Sequence, residues 1–349
     1  MKLVFTTIVV LSVVLCLSAG SVFAYSAKRE DAILRGSGPL AVRNQMPLYL
    51  FYLQMAPDKA SVVEKDKLAV DADYLVSNIT VSAFTPASSL YQVDIDLEVS
   101  RITIDLRYGL CENLEIGLEI PYIGLSSGYL DEAIEGFEDG TGARTPRSRE
   151  RQGSYEFDYT LTYNTKKLIE KKHSTDGLGD VSLNAKYQFL KEGDWFLPNL
   201  SLRSAVKFPT ADKDELLGSG EFDYGIGLLL DKGFFERLYF YLGANIIFID
   251  KPGFLSDLGI KKEYYSGVAA IEYFLTERLS IVTQVSGNST PYPFSDTNPL
   301  DNDAYDFGLG VNYTWKERQE VSCYFAVIEN IKAASSPDVS LETGLSWNF

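Results

Sequence analysis

The sequence predicts an all-β chain that closes as a transmembrane antiparallel β-barrel of about fourteen strands, with twelve to sixteen inside the expected range. Three observations predict it. From about Leu68 onward, segments of roughly ten residues alternate apolar and polar side chains, as strands do when one face meets lipid. The connections between these segments alternate short and long. Aromatic residues, 22 Tyr and 20 Phe against 3 Trp, gather toward the ends of the apolar faces, where bilayer interfaces lie. A β-sandwich also alternates, but long strands, uneven connections and a polar face rich in Gly favour the barrel.

In chain order, Lys2, the apolar run Leu3–Leu17 and the small-x-small triplet Val22-Phe23-Ala24 read as a signal peptide cleaved after Ala24. A lipid anchor on Cys16 is disfavoured, because Leu15 stands where a small residue is required. Residues 25–45 are expected as an N-terminal periplasmic segment and residues 46–349 as the barrel. Met46–Met55 is apolar on both faces, so it reads either as the first strand or as a plug segment packed inside the barrel. Separate strands are expected to begin near residues 91 and 101. Later segments alternate plainly: Leu114, Ile116, Leu118, Ile120 and Tyr122 against Glu115, Gly117 and Glu119; Phe222 to Leu230 against Asp223, Gly225 and Gly227. Val339 to Phe349 alternates as well and ends on an aromatic. A final strand of this kind points to the barrel-assembly machinery as a partner and to the bacterial outer membrane, with its lipids and lipopolysaccharide, as the location. Short turns are expected at the periplasm and long loops outside.

Residues 124–177 break the rhythm and are expected as one long exterior loop containing a short helix. Tyr129, Leu130, Ala133, Ile134 and Phe137 have helical spacing, and Tyr155 to Tyr163 alternate as a hairpin arm. Such a loop is either a lid over the pore mouth or a surface loop resting on the rim. It carries a basic cluster, Arg144, Arg147, Arg149 and Arg151, in an otherwise acidic chain. That cluster suits lipopolysaccharide phosphates, an anionic ligand or the acidic lumen beneath, and equally a solvated loop.

Little chemistry is available. A net charge of −16 repels nucleic acid. One His and three Cys leave no metal-ligand cluster, and no cofactor is expected. His173, with Ser174 and Asp176 nearby, reads as a solvated loop residue rather than a catalytic one, so no enzyme is expected. Cys111 falls in a turn and Cys323 mid-strand on the outside, which argues against a disulfide. The lumen holds the candidate residues. If the apolar faces meet lipid, then Asp71, Asp73, Asp94, Asp96, Asp180, Glu221, Asp223 and Glu272 point inward. Asp105, Arg107, Glu115, Glu119, Lys186, Arg203 and Lys207 join them, as a selectivity zone or as a ladder of ion pairs.

Several runs are similar to a known family: Arg43-Asn-Gln-Met-Pro-Leu48, Ile104-Asp-Leu-Arg-Tyr-Gly-Leu110, Glu115-Ile-Gly-Leu-Glu-Ile-Pro-Tyr122, Gly128-Tyr-Leu-Asp131, Gly177-Leu-Gly-Asp180, Lys207-Phe-Pro-Thr210 and Gly218-Ser-Gly220. Their order over residues 40–349 resembles a group of bacterial outer-membrane proteins filed as a domain of unknown function, number 3187. The resemblance implies fold and location and carries over no activity. A looser likeness, of architecture alone, is to barrels that admit fatty acids and aromatics. The functional expectation is a channel or transport-type barrel for small solutes. The alternative is a closed structural or binding barrel that contacts lipopolysaccharide or an envelope partner.

Overall fold

The computed structural model describes residues 36–83, 90–128, 157–193, 196–235, 237–292, 297–315, 320–331 and 335–349. The proposed signal peptide, the helix expected at 129–137 and the four-arginine cluster lie outside the described residues.

Among the described residues, fifteen strands form one antiparallel sheet. They are β1 (Leu68–Ala83), β2 (Tyr91–Cys111), β3 (Leu114–Ser126), β4 (Asp158–Tyr163), β5 (Lys166–Lys171), β6 (Thr175–Leu178), β7 (Ser182–Leu190), β8 (Asn199–Lys207), β9 (Asp223–Phe234), β10 (Leu238–Ile249), β11 (Glu263–Phe274), β12 (Leu279–Asn288), β13 (Ala304–Trp315), β14 (Glu320–Asn330) and β15 (Val339–Asn348). Twelve of them, all but β4, β5 and β6, make the closed wall. β15 pairs with β1 from Asn348↔Ala69 to Val339↔Asn78, and β2 pairs with β3, so the wall has no free edge. Phe349 and Leu68 exchange backbone hydrogen bonds at the seam.

The difference from fourteen has two sources, and twelve lies inside the expected range. Met46–Met55 is not in the wall. The segments expected at 91 and 101 are a single strand of 21 residues. At about 3.3 Å per residue, β2 is far longer than the roughly 30 Å hydrocarbon layer. Its lower part, Glu98 to Cys111, pairs with β3 in the wall, while Tyr91 to Asp96 extends outward to pair with β4. Above the wall its apolar residues Val93, Ile95 and Leu97 turn toward the interior. Asp94 and Asp96 therefore take the opposite face from Asp105 and Arg107, which corrects the inward placement expected for them.

Short turns join β2 to β3, β9 to β10 and β11 to β12 at one end, and long connections leave the other. Large apolar side chains stay exposed around the outside, including Ile116, Leu202, Ile226, Leu242, Val311 and Leu345. Tyr108, Tyr187, Phe235 and Trp315 rim the belt at the short-turn end, and Tyr122, Phe222, Phe248 and Tyr305 at the long-loop end. This is an apolar band between two aromatic girdles, as an outer-membrane barrel presents to its lipids. No helix among the described residues is long and apolar enough to cross a membrane. Cys111 and Cys323 are both free.

Candidate functional site

The lumen contains the chain's own N-terminal segment. Residues 36–67 precede β1 and form no strand; their only regular element is a short 3-10 turn at Pro47–Tyr49. Gly36 lies against Tyr239 and Tyr241 near the short-turn end of β10. Leu40 packs on the inward glycines Gly308 and Gly310 of β13. Leu53 and Met55 lie against Gly225 of β9, and Lys65 pairs with Gly109 back at the short-turn rim. The segment thus climbs the lumen, turns and descends. A side chain at Gly225 or Gly310 would collide with Met55 or Leu40. The glycine-rich inner face of these strands is the bed in which the segment lies. The wall accordingly starts at Leu68 rather than Met46. Residues 36–45, expected in the periplasm, are inside the barrel because their backbone and Arg43 find partners there.

The turn of the segment is its apolar tip. Met46, Leu48 and Phe51 are wholly buried. Tyr159, Leu161 and Ile169 of the β4–β5 hairpin, Leu217, Leu255 and Leu258 of two exterior loops, and Tyr292 and Leu300 of a third close over it as one cluster. Phe254 meets Phe51 edge-on at 5.1 Å, and Tyr292 meets Tyr49 at 6.2 Å. The hairpin turns on Asn164 and Thr165, both at positive φ. The described part of residues 124–177 therefore caps the plug tip and the mouth together. Lys171 on β5 pairs with Glu215 in the loop after β8, and Thr175 donates to the same carboxylate at 2.8 Å. The Lys171 and Thr175 hydrogen bonds and the Lys171 charge hold Glu215 below the usual carboxylate range. His173 is exposed on the connection from β5 to β6.

Below the tip the lumen is polar and charged. Arg43 of the plug and Arg101 of β2 share Glu119, at 2.8 and 2.9 Å. Asp58 of the plug pairs with Lys186 at 2.7 Å, and Lys186 also reaches Glu115 at 3.0 Å. Arg107 pairs with Asp71 and lies 3.5 Å from Asp105 and 3.9 Å from Asp58. Lys207 sits between Asp180 at 2.6 Å and Asp223 at 3.3 Å, and donates to the carbonyl of Phe51 at 2.9 Å. Arg203 donates to the carbonyls of Ala56 and Met55 and to Asn245. Buried charges persist only when paired in this way.

The structure places all seven lumen candidates, Asp105, Arg107, Glu115, Glu119, Lys186, Arg203 and Lys207, on the inner face of β2, β3, β7 and β8. It brings them together around the plug rather than around an open bore. Arg43, Asp58, Arg101 and Asp231, which complete the arrangement, were missed. Three of them lie where the alternation is weakest, in the irregular segment or at an assumed strand start, and only their charge in an apolar context marked them. Among the described residues no group of three or more His, Cys, Asp or Glu is placed to hold a metal ion.

A cavity of about 2330 Å³ remains beside the plug. Its lining runs from Phe349, Lys191 and Glu277 at the short-turn rim up to Arg43, Glu119 and Gln54, and stops beneath the apolar tip. One side, from β2, β3 and β7, is charged; the other carries Tyr239, Tyr241, Tyr324, Asn312 and Thr314.

The family model described as Protein of unknown function (DUF3187) matches residues 12–349. No curated protein matches the sequence. Among solved structures, the COG4313 outer membrane channel from Pseudomonas putida F1 is similar at a TM-score of 0.54 and 13% identity, covering 85% of this chain and 100% of that one. This likeness shows the shared barrel fold. The NanC porin follows at a TM-score of 0.41 and 9% identity, covering 81% and 98%. The Ralstonia pickettii toluene transporter TbuX stands at 0.40 and 8%, covering 90% and 95%.

Proposed function

We propose that this chain, which belongs to the DUF3187 family, is an outer-membrane channel for small solutes whose bore is closed at rest by residues 36–67. One observation carries the reading: a closed wall surrounds a cavity of about 2330 Å³, lined on one side by charged side chains, that ends at a segment belonging to no strand. A barrel needing only stability would be better served by an apolar core, since ion pairs like Lys186–Asp58 stabilise little relative to hydrophobic packing. Arranged between wall and plug, the same pairs act as a latch. Asp105, Arg107, Glu115, Glu119, Lys186, Arg203 and Lys207 hold the plug when it is docked, and they line the path when it is displaced. The β4–β5 hairpin closes the mouth above, and Arg144, Arg147, Arg149 and Arg151 in the same connection supply the charge that lipopolysaccharide phosphates would bind. Signal cleavage after Ala24 and delivery of β15 to the barrel-assembly machinery complete the route to the membrane.

Single-channel recording of the refolded protein in a planar bilayer tests the reading. The wild type is expected to open briefly and rarely, and Asp58→Asn to raise open occupancy several-fold by removing the partner of Lys186 and Arg107. A folded barrel that stays silent in both forms would overturn it in favour of a closed structural barrel.

A further inference from the structure

We propose that the lumen is a track for extended peptide, and that short oligopeptides are the solute class that replaces residues 36–63 within it; this rests on the channel reading above. The wall and the loop above it bind the N-terminal segment mainly through its backbone, and with both polarities. Buried acids accept peptide N–H groups: Glu272 from Ser37 at 2.9 Å, Asp223 from Leu53 at 2.8 Å, Asp231 from Ala60 at 2.6 Å. Cations and hydroxyls donate to peptide carbonyls: Arg203 to Ala56 at 2.6 Å, Lys207 to Phe51 at 2.9 Å, Tyr292 to Leu48 at 2.6 Å. Gln284 does both to one residue, accepting the N–H of Leu40 at 2.9 Å and donating to its carbonyl at 3.1 Å.

None of these contacts depends on the side chain that the segment carries at that position. Every peptide in extended form presents the same alternation of donors and acceptors at about 3.3 Å per residue. A sugar lacks the regular alternation, and a hydrocarbon offers neither group. Two of the acids, Glu272 and Asp223, are wholly buried. Emptying the track would remove one amide partner from each, leaving Tyr241 and Ser280 on Glu272 and Lys207 and the Asp250 N–H on Asp223. Exchanging one peptide for another preserves the partners, so peptide is the occupant that offsets the cost of releasing the plug. The glycine bed at Gly225 and Gly310 takes side chains of the size of Met and Leu. Both ends of the segment lie at the short-turn side, so it leaves as a loop without threading.

Proteoliposomes carrying the full chain test this through uptake of tetra-alanine, its backbone N-methylated counterpart and a sugar of similar mass. Tetra-alanine is expected to enter faster than the N-methylated form by about fivefold or more, the effect of one lost hydrogen bond. Gln284→Leu, which removes a pair of backbone contacts from plug and peptide alike, should lower the ratio of peptide to sugar uptake. The N-methyl comparison uses the unaltered protein, so it does not depend on whether the variant folds. Equal entry of all three solutes would overturn the peptide assignment and leave the channel standing. No entry of any solute, with silent bilayers, would overturn the channel reading and the peptide assignment with it.

Discussion

At single residues, Lys207 is a buried charge held on several sides. It is buried between Asp180 and Asp223 and also bonds Ser219 and the carbonyl of Phe51. Lys207→Met is predicted to destabilise the barrel by about 3–5 kcal/mol, because it strands two buried carboxylates. The check is a lower transition temperature in heat-modifiable gel mobility. Glu215 predicts a pH effect outside the membrane. Its pKa is depressed by Lys171 and Thr175. Its clamp on β5 is therefore fully present above the ordinary value of 4.5 and is lost as pH falls through the lowered one. Amide exchange in β5, corrected for intrinsic chemistry, should show constant protection from neutral pH down to the ordinary value of 4.5 and loss only below it. Loss already near neutral pH would contradict it. Alternation predicted the inward orientation of Lys207 and Asp223. Glu215 was not found, because its partner lies across a loop of no regular pattern.

At the scale of elements, the plug tip joins the barrel to its cap. Phe51 touches the exterior loops through Phe254 and the wall through Lys207. Phe51→Ala is predicted to cost about 3–5 kcal/mol of plug docking. Single-channel recording should show longer openings with unchanged barrel assembly on gels; unchanged gating would separate the tip from the gate. The double-sided apolar character of Met46–Met55 is explained here. It meets loops above and wall around it, so no polar face was needed, and strand and plug looked alike in the sequence. The lengths of β1 and β2 were legible only in part. Their alternation continues past the membrane while the meaning of each face inverts, which hid one long strand behind two expected ones.

At the scale of the whole molecule, the wall was readable because lipid imposes period two on every strand and aromatics on both rims. The lumen was not, because it answers to a segment with no period whose contacts run through its backbone. Charge in the wall showed that something had to be paired, but not that the partners Arg43 and Asp58 came from the same chain. The central claim is that residues 36–67 close the bore. Its most direct test places cysteines at both ends of the Asp58–Lys186 pair, which lines the cavity, in a background with Cys111 and Cys323 changed to Ser. Asp58→Cys with Lys186→Cys is recorded in a planar bilayer before bridging by a cleavable thiol cross-linker, after bridging, and after reduction. Current is expected before bridging, none while bridged, and recovery on reduction. Current that persists unchanged through all three stages would show that the segment does not gate the barrel.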